Sequence, residues 1–524
     1  PAGNRNLRWS FANNLSWTRG RHSFKFGVST EWASKTEPLS PNYRGNYNFG
    51  HDAQNPLNTG NGYANALLGN FSTYTELTDR VDRDRRHWHT EGFAQDSWRV
   101  KSNFTLDYGV RFTYTGAYYD TRKSTAGFYE PNWQASLAPR LYQPTCANNN
   151  PGNVACPASQ QRAIDPANPG TLLPSVYVGN LVPGSGVLTN GMVADGYPGR
   201  RGGEYFDFTP FAAAPRIGFA WDIKGDGRQA LRASTGIFYA IPTRGQWEGF
   251  VGQPPSAFNR VVQWGSFSDI ENFATSGRNF VETPFNTQNA GGETRSLDKS
   301  YNLNVAYQRE VGFNTTAEVA YVGSWTYAGG RTEDINRPVN SVFMLANPNN
   351  LFNNNAKATN LLRTNYPGMG AIQKWFDAAD GHNVNNNTLR YHSMQTSVQR
   401  RMTRGLAMGA AYTLAKGWGW NGYDPILLEA DPSGGLNRLF NWGPTADNRV
   451  HNLNINYSYN IPTVTDMAVV KWLVSDWQLS GVTRFMSGQA TQPSCSTTTT
   501  GIANTNPTLT PGITARCVYT GEPL

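Results

Sequence analysis

From Tyr301 to Trp325 the chain reads YNLNVAYQREVGFNTTAEVAYVGSW. Tyr301, Leu303, Val305 and Tyr307 alternate with Asn302, Asn304 and Gln308, and a short polar turn follows at 311–314. Beyond it Ala317, Val319, Tyr321, Gly323 and Trp325 alternate with Thr316, Glu318 and Ser324. Successive side chains of a strand point to opposite faces, so period two on both sides of a tight connection predicts a β-hairpin. Each arm has about ten residues, the length that crosses a bilayer when tilted. Aromatic residues end the apolar face, where an interfacial girdle would lie.

The same unit recurs. Leu7, Trp9, Phe11, Leu15 and Trp17 share a phase before a turn at 18–21, and Phe24, Phe26, Val28 and Trp32 share one after it. In the second hairpin the return arm alternates from Phe104 to Tyr114, while the first arm puts Phe93 and Trp98 out of phase. A β-bulge is the expected cause of that slip. The third hairpin turns on Gly225-Asp226-Gly227 and the fifth at 403–405. The sixth opens with the cleanest alternation, Leu453, Ile455, Tyr457, Tyr459 and Ile461 against asparagines and Ser458. Its partner DWQLSGVTRFMSG follows a longer connection with a short helix expected at MAVVKWL. About twelve strands in six pairs result, with turns of about two to five residues inside most pairs and loops of about thirty to ninety between pairs. Short turns at one end and long loops at the other are the plan of an outer-membrane barrel, whereas a soluble sandwich has no reason to gather its long loops at one end. The predicted fold is therefore all-β, a large antiparallel transmembrane β-barrel with short periplasmic turns and long extracellular loops. Its polar face of Asn, Gln, Thr, Asp, Glu and Arg suits a wet lumen, hence a barrel wider than eight strands. In the first long loop, GYANALLGN predicts a helical turn closed by Gly69.

Composition narrows the class. Of 524 residues only 38% are hydrophobic but 13% are aromatic, and 53 Gly and 31 Pro punctuate the chain, which disfavours soluble α/β and coiled-coil folds. No run of eighteen apolar residues exists, so a membrane-spanning helix is excluded; a barrel passes that test because only alternate residues face lipid. The net charge of +8 comes from scattered arginines rather than one basic stripe, so no nucleic-acid partner is expected. Four cysteines form two local pairs in loop-like sequence, Cys146 with Cys156 and Cys495 with Cys517. They are disulfide candidates in an oxidising compartment, with free thiols as the alternative.

Candidate chemistry is sparse. His87 and His89 share a strand face but lack a third ligand in register, so no metal is expected. In TDRVDRDRR, Asp79, Asp82 and Asp84 interleave with Arg80, Arg83, Arg85 and Arg86, which reads as an exposed mixed-charge segment rather than a calcium loop. The Gly225-Asp226-Gly227 triplet lacks the helix and Lys-Ser/Thr pair of a phosphate loop. No Ser-His-Asp, paired-Glu or Cys-His set can be placed at one site; the reading is non-enzymatic, without cofactor or catalytic residue. The ligand-binding candidates are Trp247, Trp264, Trp375, Trp418, Trp420 and Trp442, whose rings suit stacking on sugars or apolar ligands beside Asn donors. The competing reading packs those rings loop against loop.

FAQDSWRVKSNFTLDYGVRF, APRIGFAWDIKGDGRQALRASTGIFY, YNLNVAYQREVGFNTTAEVAYVGS, YHSMQTSVQRRMTRGLAMGAAYTLAK and DWQLSGVTRFMSGQ resemble the barrel of Oar-like TonB-dependent receptors, as does NNLSWTRGRHSFKFG. The resembling segments follow in order between Leu7 and Gln489, with the long loops unmatched. The resemblance implies a 22-stranded barrel with an N-terminal plug, often preceded by a carboxypeptidase-regulatory-like domain. Residues 1–524 are accordingly expected to be a partial barrel, about 12 of those strands, without plug, TonB box or C-terminal strands. The implied function is an outer-membrane receptor of a Gram-negative bacterium, surrounded by outer-membrane lipid. Its extracellular loops would capture an oligosaccharide, siderophore or peptide for uptake energised by the TonB complex. The alternative is a surface adhesion or secretion-related barrel that binds protein or polysaccharide. A soluble, secreted all-β carbohydrate binder is a third reading.

Overall fold

Twelve strands carry the molecule: β1 (Arg5–Arg19), β2 (His22–Pro38), β3 (Asp82–Lys101), β4 (Phe104–Thr115), β5 (Ala212–Trp221), β6 (Gln229–Tyr239), β7 (Lys299–Gly312), β8 (Thr315–Tyr327), β9 (Thr388–Thr403), β10 (Leu406–Trp420), β11 (His451–Asn460) and β12 (Gln478–Met486). The computed structural model describes residues 4–38, 43–148, 156–198, 203–208, 211–241, 249–269, 280–288, 294–327, 330–336, 360–377, 388–420, 442–445, 447–462, 469 and 477–490. Each strand pairs antiparallel with the next, so the six predicted hairpins join into one meander running from β1 to β12. All the short turns therefore lie at one end of the sheet and all the long loops at the other.

Register explains why the two faces differ so sharply. Ala233 of β6, Val305 of β7, Tyr321 of β8, Met394 of β9 and Leu414 of β10 are successive cross-strand partners, so one apolar row crosses five strands. Three residues further along, Gly236, Asn302 and Ser324 are partners on the opposite face. There the Ser300 hydroxyl lies 2.9 Å from that of Ser324, which donates to Asn302 at 2.8 Å. The apolar face is uncovered: Trp9 is 70% exposed, Phe11 60% and Val482 79%. A water-soluble sheet would need a second layer over such a face; hydrocarbon is the environment in which it is satisfied.

The turns follow from their residues. Phe313 and Asn314 both have positive φ, as a two-residue hairpin turn demands, and Gly312 at φ +93° absorbs the register shift before them. In the third hairpin the Asp222 carboxylate accepts the N–H groups of Gly225 at 3.0 Å and Gly227 at 2.8 Å. In the first long loop, helix α1 (Gly62–Leu68) is capped by the Asn61 side chain and closed by Gly69 in the left-handed region, as its sequence predicts. The helix expected at MAVVKWL lies, apart from Val469, outside the described residues.

Two expectations are corrected. No bulge separates Phe93 from Trp98: β2 and β3 stay in unbroken register from His22 opposite Trp98 to Pro38 opposite Asp82. Phe93 instead lies on the polar face, over Gly27, where an added Cβ would meet its ring at 2.2 Å, and the Arg111 guanidinium stands 5.2 Å from the ring centroid. The register shift in this hairpin comes later, between Arg99 and Lys101. The segment TDRVDRDRR is exposed only at Asp79 and Arg80. Arg83, Asp84 and Arg85 are buried in the outer end of β3, because Glu37 of β2 accepts from both arginines and Asp84 accepts from Ser34 and Thr121 at 2.8 and 2.7 Å.

The buried hydrophobic core lies mainly in the long loops. A four-stranded sheet takes Asn46–Asn48 and Asn70–Leu77 from the first loop and Asn259–Ser266 and Phe280–Val281 from the third. A three-stranded sheet joins Thr287–Gln288 of the third loop to Gly330–Asp334 and Ile372–Asp377 of the fourth. Val81, Tyr118, Tyr205, Phe206, Phe250 and Leu297 pack beneath them as one cluster. The first four loops thus form a single folded cap on the wall.

Candidate functional site

The cap is held by polar joints between distant parts of the chain. Glu130 of the second loop accepts from Lys374 at 2.6 Å and from the Tyr366 hydroxyl at 3.1 Å, both of the fourth loop. Burial and the Glu130 charge push the Tyr366 phenol up to about 12, so it stays a donor. Asn336 is fully buried and donates to the carbonyls of Tyr366 at 3.0 Å and Gly370 at 2.9 Å. Beside it Arg363 donates to Asp334 at 2.7 Å. The Arg295 guanidinium lies between two rings, 3.6 Å from the Phe206 centroid and 4.9 Å from that of Trp375. In the second loop Arg140 grips Asp165 and holds its carboxyl below the usual carboxylate range. Burial, by contrast, raises Glu282.

These joints decide where the sequence-selected tryptophans sit. Trp264 occupies an irregularity in the strand Asn259–Ser266, with φ +56°, and its indole donates to Asp52 of the first loop at 2.7 Å. Trp375 is half-buried against Arg295. Both rings brace one loop against another. Trp418 lies near the end of β10 in the same phase as Tyr412 and Leu414, on the apolar face, with Lys416 Nζ 4.7 Å from its ring. Trp420 pairs with Trp442, and Arg390 of β9 stands 5.4 Å over the Trp442 ring. Aromatic and basic residues at the outer end of an apolar face form an interfacial belt. The structure therefore divides the described candidates between cap and belt rather than gathering them in one pocket. Trp247, the Trp420 side chain, Cys495 and Cys517 lie outside the described residues.

Cys146 and Cys156 form a disulfide whose Cα atoms are 6.2 Å apart, closing a hairpin of the second loop. His87 stacks on Tyr118 at 4.4 Å, and His89 Nε2 is 3.5 Å from Glu91. Among the described residues no group of three or more His, Cys, Asp or Glu side chains converges on one point. Helix α1 presents Tyr63 and Leu67 to solvent, 87% and 89% exposed. The sequence-based selection of aromatics missed Glu130, Asn336 and Arg363, because their partners are far away in the chain and no local pattern marks them.

No curated protein matches the chain. Among solved structures it is similar to the outer membrane transporter YddB from Escherichia coli, with 11% identity and a TM-score of 0.38 over 88% of this chain and 40% of that one. It is similar also to the copper transporter OprC, at 10% identity and TM-score 0.35 over 88% and 42%. The ferric yersiniabactin uptake receptor FyuA from Yersinia pestis matches at 6% and 0.36 over 88% and 41%. The chain spans about four tenths of the length of each. The family model described as outer membrane beta barrel domain matches residues 1–522, and the chain belongs to that family of outer-membrane proteins.

Proposed function

We propose that the chain forms wall and outer cap of an Oar-like TonB-dependent receptor, which captures a solute on its extracellular loops for uptake through the lumen. The observation that carries this reading is the cap itself. Four loops from successive hairpins fold together at one end of a wall whose inner face is polar, so a binding surface is built above a wet passage. Loops that served only to shield strand ends would have no need of shared sheets and a common buried core. Energy would come from the TonB complex acting through a plug domain. Oligosaccharide, siderophore and peptide are the ligand classes considered. Trp247 is retained as a stacking candidate, and Trp264 and Trp375 act through the shape of the cap. The test is accumulation of labelled candidates from these three classes by cells carrying the gene, with and without a working TonB. Accumulation that needs both supports the reading, and capture indifferent to TonB contradicts it.

One feature favours the second reading, adhesion. The exposed Tyr63 and Leu67 of α1 form an apolar tip on the cap, suited to a protein surface. Adhesion predicts that Tyr63→Ser with Leu67→Ser lowers cell attachment while solute accumulation is unchanged; loss of accumulation alone would rule it out.

A further inference from the structure

The inner face of the wall holds a trough of about 770 Å³ over β3 to β8, within the size range of small-ligand sites. Arg216 of β5 stands in its middle. Its register partner on β4 is Gly109 and on β6 is Gly236, so the two wall positions beside it carry no side chain. Neither position has room for one. A Cβ at Gly236 would stand 2.9 Å from Arg216 Cγ, and one at Gly109 would stand 2.6 Å from Gln95 Cβ. The guanidinium lies over the Phe238 ring, 4.4 Å from its centroid. Stacking on an aromatic floor orients the planar fork and leaves its edge free to donate.

Charge separates Arg216 from its neighbours. Arg111 is ion-paired with Glu91, and Arg232 donates to Gln308 at 2.6 Å with Glu318 at 3.7 Å. Among the described residues no carboxylate lies within 4.0 Å of the Arg216 guanidinium. Asp107 lines the trough on the side of the short turns without reaching it. Asn302 and Ser324, in the same cross-strand row beyond Gly236, add polar groups within the trough. A guanidinium oriented in a glycine gap offers the bidentate geometry an oxyanion takes, and the Asn302 amide and Ser324 hydroxyl stand two and three strands further along the same row.

We infer that this trough is a binding station for a carboxylate- or phosphate-bearing solute, with Arg216 as the residue that grips the anion. The station gives the lumen a charge preference separate from any selection by the cap. It rests on the uptake reading for its meaning in the cell, but its binding is measured on the purified chain alone, so a negative TonB experiment leaves it standing.

The experiment is titration calorimetry at low ionic strength in detergent, with succinate and inorganic phosphate as probes and tetramethylammonium as the cationic control. The unaltered chain should bind at least one anion and not the cation, and the tighter of the two names the group recognised. Arg216→Gln should weaken anion binding at least tenfold. Gly236→Val should weaken it although the arginine is still present, because the new side chain displaces Arg216 from its floor. Lys123→Gln, an exposed cation on the cap, should leave affinity unchanged. Circular dichroism of each variant shows whether the sheet is intact. Equal anion affinity in a folded Arg216→Gln variant, or no anion binding by the unaltered chain, overturns the assignment.

Discussion

Val305 and Asn304 are adjacent on β7, yet an arginine at one should behave quite unlike an arginine at the other. Val305 lies in the apolar row between Ala233 and Tyr321 and is 37% exposed with no protein layer over it. It sits about midway along β7, so in a bilayer its side chain meets the hydrocarbon midplane. Arginine on the lipid face there costs about 2–4 kcal/mol, a factor of about 30 to 700 in the folding equilibrium. Asn304 projects into the polar trough beside Ser234, where an arginine keeps its water. Its cost is that of an ordinary surface change, within about 0.5 kcal/mol. The assay is urea titration of refolding into phospholipid vesicles, followed by tryptophan fluorescence and by mobility of the unheated protein on a denaturing gel. Val305→Arg should move the midpoint strongly and Asn304→Arg barely. Equal shifts, or a larger one at Asn304, would refute the assignment of faces.

The cap gives further tests. Phe250 is fully buried and stacks on Tyr205 with centroids 4.3 Å apart, so Phe250→Ala should destabilise the cap by about 3–5 kcal/mol, seen as faster protease cleavage in the long loops with the strands still protected. Cys146→Ser with Cys156→Ser opens a covalent loop with a sequence separation of 10; the chain-entropy estimate is a loss of about 2–3 kcal/mol, read as increased hydrogen exchange in Gln161–Pro174 against unchanged exchange in β7. The carboxyl of Asp165 is held low by Arg140, so its contribution is complete above the ordinary aspartate value and is lost as pH falls through the lower folded value. Acidification to about pH 3 should therefore loosen this hairpin more in the unaltered chain than in Asp165→Asn, whose hairpin lacks that contribution at every pH.

The wall was legible in the sequence because one rule acts on every strand. Lipid accepts only apolar side chains on one face and water tolerates polar ones on the other, so Val305 and Asn304 declare their sides without knowledge of their neighbours. Phe93 broke the rule because Gly27, on the preceding strand but 66 residues away in the chain, vacates room for a ring on the wet face; such a vacancy is visible only once register is known. The cap was less legible still. Glu130 and Lys374 are 244 residues apart, and Trp264 meets Asp52 across 212, so no window of sequence contains either joint. Buried Arg83 and Arg85 misled for a related reason: their alternation with acids suggests solvent, until Glu37 on the paired strand is placed beside them. Aromatic content pointed toward the loops and the belt, but composition alone does not distinguish a brace from a binding ring.

The central claim is that β7 and its neighbours form a membrane wall with lipid on one face and water on the other. The most direct measurement places a nitroxide spin label at each position from 301 to 308 in turn, with the protein in vesicles, and compares collision with oxygen and with a water-soluble nickel complex. The account predicts a period of two, oxygen favoured at Tyr301, Leu303, Val305 and Tyr307 and nickel favoured at Asn302, Asn304 and Gln308. A flat profile, or nickel favoured at the odd positions, would contradict it.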